Sequence, residues 1–539
     1  MIISPGRTVL SVAGVRFQGR LLVMKNLLAS ALHAMPVGPL RAMERFAAAP
    51  VETQEALLRD LLRRAAHTEW GRRFGFGELA RASDVVAAYQ ARVPLHTYEA
   101  FRNDVARLRK GTPDVVWPGV FRHFAVSSGT ASAGKIIPVS EEMLVKNRRF
   151  SMGSAFQYLA ESGNPRFWLG KFLSVPGRIE DDPEHPGTLI GEVSGLQAEF
   201  APAFVRRFYQ AVPNEVLYLP NWEDKLAAIV GRTVAADVRA VAMAPSWALV
   251  LFQMVIERHN RKRGRRARTL GEVWPNLQVF FSGGVALRSY RHLLEALIGL
   301  PEMHFWEHYG ASEGFFAHQA TLEDEAMMLH LDNGVFYEFV RMDERAADAP
   351  RRHTVADVET GVRYALYVTT CSGLWAYDVG DVVRFTQLDP PKIVVTGRTS
   401  EMLDRYGEAV FGEEARDALR HACAQTGAQV RDFHVAPRHA ALDRLPAHEW
   451  LVEFEAAPAS LEPFAEAVDV YLQRVNRHYR IRREARVFDP PQIVPLPSGV
   501  FFEWLKRSRK RVGAQSKVPR MSEERDVAEG VLALVGNNK

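Results

Sequence analysis

The sequence predicts an α/β protein in which a large amino-terminal domain is followed by a smaller α+β domain. The chain has 539 residues, more than one hydrophobic core ordinarily holds. From about residue 120, strand-like and helix-like segments alternate, which favours sheets with helices on their faces. After residue 396 the pattern shortens to that of a split βαβ unit. We therefore expect a leader of unassigned role at 1–40, the large domain at 41–396, a junction at 397–400 and the small domain at 401–539.

The elements of the large domain follow from periodicity. Leucines at positions 57, 58, 61 and 62 lie on one face of a helix expected over 52–66, within a helical region at 40–110. The elements expected after it are strand 121–126, strand 136–139, helix 246–259, strand 277–281, helix 290–297 and a strand that starts with the apolar run 303–306 and runs into Tyr309. In open sheets with this alternation, ligands bind beyond the carboxyl ends of the strands.

The small domain is expected to have the order β-α-β-β-α-β. Its elements are predicted as strand 393–396, helix 412–426, strand 430–435, strand 449–454, helix 460–479 and strand 485–488. The segment Gly397-Arg398-Thr399-Ser400 lies where this domain joins the large one.

Composition excludes several classes of protein. The chain is 47% apolar and 24% charged, as in globular proteins without collagen-like or disordered bias. Two cysteines far apart, Cys371 and Cys423, indicate a reducing compartment and exclude a disulfide framework or a cysteine metal site. The sequence contains no apolar run of about 18 residues and no cleavage-site pattern. We expect a cytoplasmic protein that has no membrane partner and is a monomer or weak dimer.

Two basic runs, at 261–268 and 506–511, raise the alternative of a nucleic-acid-binding protein. Both runs lack interleaved aromatic residues, and the net charge of +5 is small for this length. The first run is typical of an exposed loop between elements. We therefore expect no nucleic-acid partner, although salt-dependent retention on DNA would support one.

The segment 127–135 has the residue types of a phosphate-binding loop between two strands. Hydroxyls at 127, 128, 130 and 132 can donate to phosphate oxygens, and glycines at 129 and 134 let backbone N–H groups approach closely. Lys135 adds a positive charge. The segment is not the G-x-x-x-x-G-K-[ST] loop of P-loop enzymes, and Pro138 disfavours an immediate helix. A plain Ser/Gly turn remains an alternative at this point.

Two later segments support a nucleotide site. In Tyr309-Gly310-Ala311-Ser312-Glu313, an apolar run leads into a glycine-punctuated turn, where a ring could stack on a base and a carboxylate could hold Mg²⁺. In Tyr377-Asp378-Val379-Gly380-Asp381, a carboxylate behind a tight glycine turn could accept hydrogen bonds from two ribose hydroxyls. Each segment alone is more often a simple turn. All three in this order favour a nucleotide-binding enzyme.

The chain resembles the adenylate-forming superfamily and, within it, the Gretchen Hagen-type acyl acid–amido synthetases of plants and their bacterial relatives. The three motifs stand in the superfamily's order: a Ser/Thr/Gly loop ending in lysine, Tyr-Gly-x-[ST]-Glu, and a motif ending in Gly-Asp. The flanking patterns of the synthetase branch are Leu57–Leu62 with Thr68–Arg72, Val93–Glu99 and Gln515–Arg520. The resemblance runs from about residue 50 to about 525. Three departures from the motifs are Ala131 and Ser132 in the loop, a loop one residue shorter before Lys135, and Asp378 in place of arginine.

The resemblance implies ATP and Mg²⁺ as cofactors, and a small carboxylic acid and an amine, such as an amino acid, as substrates. It implies that Lys135, Glu313, Arg398 and Lys517 are catalytic, that Glu313 holds Mg²⁺, and that residues 397–400 form the hinge of a mobile small domain. The residues implied to bind ATP or AMP are Ser127, Ser128, Gly129, Thr130, Gly284, Val285, Tyr309, Gly310, Ala311, Ser312, Glu313, Asp381 and Arg398.

Two alternatives to amide synthesis stay open at the level of sequence. A thiol acceptor, either coenzyme A or a carrier, would give a thioester ligase of the same superfamily. The altered loop and Asp378 would also suit a nucleotide-binding sensor or scaffold without catalysis. Retention of Glu313 and Asp381 disfavours the scaffold, and the branch-specific flanks favour the amide.

Overall fold

The computed structural model describes residues 38–127, 135–219, 221–264, 266–284, 287–345, 347–399, 401–403, 405–406, 408, 410–438, 445–508 and 518–536. The helices are α1 (Gly38–Ala48), α2 (Pro50–Ala65), α3 (Glu69–Phe74), α4 (Phe76–Leu79), α5 (Val85–Arg92), α6 (Tyr98–Arg109), α7 (Glu141–Ser162), α8 (Val193–Glu199), α9 (Asn214–Leu217), α10 (Trp222–Thr233), α11 (Pro245–Arg263), α12 (Arg291–Ile298), α13 (Gly412–Thr426), α14 (Leu461–Val475), α15 (Arg477–Glu484), α16 (Val500–Ser508) and α17 (Asp526–Gly536). The strands are β1 (His123–Val126), β2 (Ile136–Val139), β3 (Lys171–Ser174), β4 (Ile179–Asp181), β5 (Leu189–Gly191), β6 (Val238–Met243), β7 (Val279–Gly283), β8 (His304–Ala311), β9 (Gly314–Gln319), β10 (Met327–Leu329), β11 (Val335–Arg341), β12 (Arg363–Thr370), β13 (Tyr377–Leu388), β14 (Pro391–Arg398), β15 (Met402–Leu403), β16 (Val410–Phe411), β17 (Gln429–Arg438), β18 (Ala447–Ala456) and β19 (Asp489–Leu496).

A mixed sheet organises the large part of the molecule, in the order β11-β12-β13-β14-β10-β9-β8-β7-β6-β3. Strands β3, β6, β7 and β8 are parallel to one another. Helix α11 forms the crossover from β6 to β7, and helix α12 forms the crossover from β7 to β8. The remaining neighbours are antiparallel. Parallel strands must be covered on both faces, which explains the apolar runs that predicted them. The expected α/β class with a large and a smaller part is confirmed.

Helices cover both faces of the parallel strands. Helix α7 packs on one face, where Phe156 and Tyr158 contact Trp306 and Phe281. Helix α7 begins where the Ser140 side chain accepts a hydrogen bond from the Met143 N–H, as an N-cap serine does. Helices α11 and α12 pack on the opposite face. The central strands are therefore fixed between two apolar layers.

A second sheet, β2-β1-β5-β4, contains the loop that the sequence singled out. Strands β1 and β2 are antiparallel and flank residues 127–135. The two strands predicted around this segment are thus confirmed. Residues 128–134 lie outside the described residues.

The order predicted for the small domain is wrong in its first strand. Segment 393–396 belongs to β14, which pairs with β13 and β10 in the large sheet, because Ile393 is buried in the core of that sheet. The carboxy-terminal sheet is β17-β18-β19, with α13 and α14 packed on one face and α16 and α17 on the other. Its last strand is Asp489–Leu496 and not 485–488.

The helix predicted over 460–479 is two helices, α14 and α15. Asn476 separates them with φ −118° and ψ 108°, and its side chain accepts a hydrogen bond from the Tyr479 N–H. Asparagine is among the preferred N-cap residues, so the break has a local cause that the apolar periodicity concealed. The domain boundaries at 41–396, 397–400 and 401–539 stay a prediction.

No helix in the described segments combines the length and apolar character needed to cross a bilayer.

Candidate active site

A cavity of about 2130 Å³ opens at the carboxyl ends of the parallel strands. Two small residues on the α7 face of neighbouring strands help to create it, Ala242 on β6 and Gly283 on β7. Alternation along a strand puts these positions where larger side chains would fill the space against α7. The cavity thus occupies the position where open α/β sheets bind ligands.

The two ends of the expected phosphate loop meet at the rim of this cavity. The Ser127 N–H donates to the Lys135 carbonyl oxygen at 2.8 Å, and the Lys135 N–H donates to Ser127 Oγ at 3.3 Å. Lys135 Nζ lies 5.8 Å from the centre of the Tyr377 ring. Ser128, Gly129 and Thr130, which are predicted to bind phosphate, lie outside the described residues.

The second motif is a strand for most of its length: the strand expected to run into Tyr309 is confirmed, and the turn begins later than expected, at Ser312. Strand β8 pairs with β9 as far as Ala311 and Gly314, so only Ser312 and Glu313 form the turn. Tyr309 is buried, and its hydroxyl donates to Asp381 Oδ2 at 2.9 Å. This bond connects the second motif directly to the third.

Glu313 is a buried carboxyl group at the cavity. Burial, reinforced by the nearby negative charge of Asp381, raises the pKa of Glu313 to about 7. A carboxylate held in this environment is stabilised by a cation that enters with a ligand. Within the described residues there is no group of three metal-ligating side chains. A single carboxylate that acts together with substrate phosphates is a common way for proteins to hold Mg²⁺.

The third motif is a β-bulge inside β13 and not a turn between separate elements. The register between β12 and β13 shifts between Ala365 and Tyr367, and Gly380 has φ +84°, a conformation that favours glycine. Asp381 follows the bulge, and its Oδ1 lies 3.2 Å from Arg398 Nε. The two oxygens of Asp381 thus contact Tyr309 and Arg398.

Asp378, which replaces the superfamily arginine, stabilises this bulge. Its Oδ1 accepts a hydrogen bond from the Gly380 N–H at 2.8 Å, and its Oδ2 accepts one from Arg345 Nη2 at 2.8 Å. A short acidic side chain that bonds the backbone two residues onward is a common stabiliser of tight backbone conformations. The departure from the motif therefore has a structural role that the sequence did not reveal.

The turn after β7, where Gly284 is implied to bind ATP or AMP, reaches the same cavity. Gly284 has φ +80° and nothing within 4 Å of the position that a Cβ would take. Val285 lies outside the described residues. Beside this turn, Glu307 Oε1 accepts a hydrogen bond from the Leu287 N–H at 3.0 Å. Burial raises the pKa of Glu307 to about 6.

The carboxy-terminal part of the chain also contributes to the cavity. Arg520 Nη2 donates to the Tyr290 hydroxyl at 2.9 Å, and the Arg520 N–H donates to Glu401 Oε1 at 3.3 Å. Arg416 Nη2 donates to the Thr396 carbonyl oxygen at 2.7 Å. Lys517, the predicted catalytic lysine, lies outside the described residues.

The cavity thus brings together the predicted site residues that the structure describes. They are Ser127, Lys135, Gly284, Tyr309, Gly310, Ala311, Ser312, Glu313, Asp381 and Arg398. Sequence reasoning missed Glu307, His308 and Tyr290, which also line the cavity. Glu307 and His308 directly precede Tyr309 on β8. Their position in the strand that leads into the recognised motif was the signal that could have identified them. Tyr290 has no motif around it.

Models of one family match most of the chain. The GH3 family N-terminal domain matches residues 39–226, the central domain matches 328–398 and the C-terminal domain matches 413–526. The indole-3-acetic acid-amido synthetase GH3.3 of Arabidopsis thaliana is 23% identical over 546 residues, covering 87% of this chain and 88% of the relative. The indole-3-acetic acid-amido synthetase GH3.8 of Oryza sativa subsp. indica is 26% identical over 542 residues, covering 87% of each chain.

Solved structures share the fold. A GH3.15 acyl acid amido synthetase superposes with a TM-score of 0.75 at 18% identity, covering 92% of this chain and 95% of that chain. A 2-hydroxyisobutyryl-CoA ligase in its postadenylation state superposes with a TM-score of 0.54 at 15% identity. The superposition covers 90% of this chain and 91% of the ligase chain. The chain therefore shares its overall fold with both structures. With family models matched from residue 39 to residue 526, the chain belongs to the GH3 family.

Proposed function

We propose that this protein is an ATP-dependent acyl acid–amido synthetase. In the first half-reaction a carboxylate oxygen of a small acid attacks the α-phosphorus of ATP and pyrophosphate leaves. In the second, the nitrogen of an amine attacks the acyl carbon of the adenylate, AMP leaves and the nitrogen loses a proton. The observation that carries the proposal is the convergence of three separate motifs on one cavity. Membership of the GH3 family and relatives named amido synthetases support it.

The chemistry explains why the site needs positive charge and fixed geometry more than a catalytic triad. A carboxylate is a poor acylating agent because its leaving group would be oxide, whereas the adenylate releases AMP. Positioning of the reactants and neutralisation of charge supply most of the rate enhancement in such steps. We assign Ser127, Lys135 and the loop between them to the departing pyrophosphate, and Ser312 to the α-phosphate.

Glu313 is the residue that we assign to Mg²⁺. When bound, the ion supplies positive charge against the phosphate oxygens. Glu313 is poised for this role because burial disfavours its ionised form until a cation arrives. Lys135 lies on the same side of the cavity, and its positive charge favours the ionised form of Glu313.

Asp381 is assigned to the ribose hydroxyls. Tyr309 and Arg398 fix its two oxygens, so that the remaining lone pairs have a defined direction. Tyr309 packs beside the adenine, with Gly284 leaving room for the base. Arg398 ends β14 at the predicted hinge, and we assign Arg398 and Lys517 to steps that depend on movement of the carboxy-terminal domain.

The acid is assigned to the aromatic end of the cavity beneath α7. Its walls are Phe150, Phe156, Trp168, Phe172 and Phe281. A largely apolar pocket with few polar groups is typical of a site for a small organic acid. One solved relative is an acyl acid amido synthetase in complex with 2,4-DB, with a TM-score of 0.73.

A pyrophosphate assay tests the proposal. The protein is incubated with ATP, Mg²⁺ and aromatic, indolic and aliphatic acids, and hydroxylamine traps the activated acyl group. Pyrophosphate and AMP are expected, followed by amides when amino acids replace hydroxylamine. ADP and orthophosphate would contradict the proposal and indicate an acyl-phosphate ligase. Thioester formation with coenzyme A, in the absence of amide formation, would favour the thiol alternative.

A further inference from the structure

A hydrogen-bonded chain fixes the orientation of His308 in the aromatic end of the cavity. Trp306 Nε1 donates to Ser154 Oγ at 2.8 Å, and Ser154 Oγ lies 2.5 Å from His308 Nε2. Ser154 is fully buried on α7. His308 lines the cavity, and its ring is stacked on Phe281 with centres 5.6 Å apart.

The donors and acceptors of this chain determine which ring nitrogen holds the proton. An indole N–H can only donate, so Ser154 Oγ accepts from Trp306. Among the described residues the Ser154 hydroxyl has one other partner, His308 Nε2, and it donates its proton there. Nε2 is therefore the acceptor nitrogen and Nδ1 is the protonated one. Burial lowers the pKa of His308 to about 3, which keeps the ring neutral in this form.

A neutral N–H donor in an aromatic pocket selects for a ligand that accepts a hydrogen bond. We propose that His308 is a specificity-determining residue whose Nδ1–H binds an uncharged oxygen on the acid, distal to the carboxylate. The proposal rests on the proposed function. The acid is accordingly a ring-containing acid with a keto, hydroxyl or ether oxygen, and not a pure hydrocarbon acid.

The position of His308 along β8 sets the distance that the bound acid must have between its uncharged oxygen and its carboxylate. Ala311, where the strand ends beside the Ser312–Glu313 turn, lies three positions after His308. At the rise of a β-strand this is ~10 Å. A substituted phenylpropanoic acid has about this length. Phe150, edge-on to the imidazole at 5.8 Å, and Phe281 would bracket its ring.

Matched acids test the proposal. Pyrophosphate release is measured with 3-phenylpropanoic acids that have a methoxy or an ethyl group at ring position 2, 3 or 4. These two groups differ little in shape, but only methoxy accepts a hydrogen bond. At one position at least, kcat/KM should favour methoxy by about tenfold, the size of one hydrogen bond. His308→Leu should abolish this preference. His308→Gln, which restores an N–H donor, should recover part of it.

The controls separate this inference from the proposed function. His304→Leu changes a histidine of the same strand that does not line the cavity, and it should keep the methoxy preference. Wild-type protein that releases pyrophosphate equally from methoxy and ethyl acids at every ring position would overturn the inference but not the proposed function.

If no acid releases pyrophosphate, the proposed function fails. In that case ¹⁵N NMR of labelled histidine still decides which tautomer His308 adopts. An Nδ1–H form in wild type supports the inference, and an Nε2–H form overturns it.

Discussion

The carboxylate of Asp381 has a defined environment that makes its contribution to nucleotide binding measurable. It accepts a hydrogen bond from the Tyr309 hydroxyl and lies against Arg398. If Asp381 also accepts two ribose hydroxyls, Asp381→Ala should weaken ATP binding by roughly 2–4 kcal/mol, since charge-assisted bonds are worth about 1.5–3 kcal/mol each and are not additive. Calorimetric titration with ATP and 2′-deoxy-ATP measures this, and the mutant should no longer distinguish the two.

A second Tyr–Asp–Arg group supplies the control for this substitution. Asp469 Oδ1 accepts from the Tyr479 hydroxyl at 2.7 Å and from Arg483 Nε at 2.9 Å, in the carboxy-terminal part and away from the cavity. Asp469→Ala should lower stability without changing ATP affinity. Equal ATP affinity in wild type and Asp381→Ala would remove Asp381 from the site.

Glu307 should make stability depend on pH. Burial raises its folded-state pKa to about 6, above the ordinary 4.5, so the ionised form is disfavoured in the folded protein. The destabilisation is absent below pH ~4.5 and complete above pH ~6, and it amounts to about 2 kcal/mol. Glu307→Gln removes it. Urea unfolding should therefore show the mutant gaining about 2 kcal/mol on wild type between pH 4.5 and pH 7.

The comparison for Glu307 is an exposed carboxylate, Glu302. The difference between Glu302→Gln and wild type should be flat over the same pH range. A flat profile for Glu307→Gln as well would show that Glu307 is solvated in the folded protein.

Residue types predicted the candidate site residues better than they predicted the side chains that hold those residues in place. The hydroxyls, the lysine and the carboxylates of the three motifs could be found because phosphate, Mg²⁺ and ribose each require particular groups. The support given by Asp378 to the bulge could not be found, since it depends on Arg345, 33 residues away. Arg520 stood in a recognised flank, but its partner Tyr290 lies 230 positions earlier.

At the scale of elements, the bulge at Gly380 positions Asp381. Gly380 has φ +84°, so Gly380→Ala strains the backbone and should cost about 1–2 kcal/mol of stability. Because the strain adjoins Asp381, ATP affinity should fall as well. Chemical denaturation and calorimetric titration measure the two effects.

Gly361 is the matched glycine for this experiment. It has φ +81° and open space around a Cβ position, but it does not line the cavity. Gly361→Ala should lower stability by a similar amount and leave ATP affinity unchanged. If Gly380→Ala loses stability alone, the bulge does not position Asp381.

The elements that were predicted correctly depend on local patterns, and the errors come from non-local pairing. The leucines of α2 and the apolar run of β7 indicate their elements within a few residues. Segment 393–396 was recognised as a strand, but its sheet is set by partners in β13 and β10. Gly310 and Gly380 were assigned to turns because glycine punctuates turns, whereas here antiparallel neighbours continue both strands.

At the scale of the whole molecule, the carboxy-terminal part contacts the large part of the chain mostly through polar and charged groups, with one aromatic contact between Trp247 and Phe502. Arg520 donates to Tyr290, Arg416 donates to the Thr396 carbonyl oxygen, and Lys506 Nζ lies 2.9 Å from Glu223 Oε1. Arg520 also forms an ion pair with Asp432 of its own sheet. Contacts of this polar kind suit an interface that opens and closes more than a permanent one.

The bond between Arg520 and Tyr290 should matter unequally to the two half-reactions. If the carboxy-terminal domain rotates between them, only one rotational state contains this bond. Tyr290→Phe deletes the hydroxyl acceptor, while Asp432 still holds Arg520 in place. A hydrogen bond to a charged group is worth about 1.5–3 kcal/mol, so the half-reaction that uses this state should slow by about tenfold or more relative to the other. ATP–pyrophosphate exchange reports the first half-reaction, and amide formation from preformed acyl-adenylate reports the second.

Tyr218→Phe is the control, because the Tyr218 hydroxyl donates to the Gly195 carbonyl oxygen within the large part of the chain. It should leave the ratio of the two rates unchanged. Equal losses of both rates in Tyr290→Phe would mean that the contact persists through the cycle and that the domain does not rotate about residues 397–400.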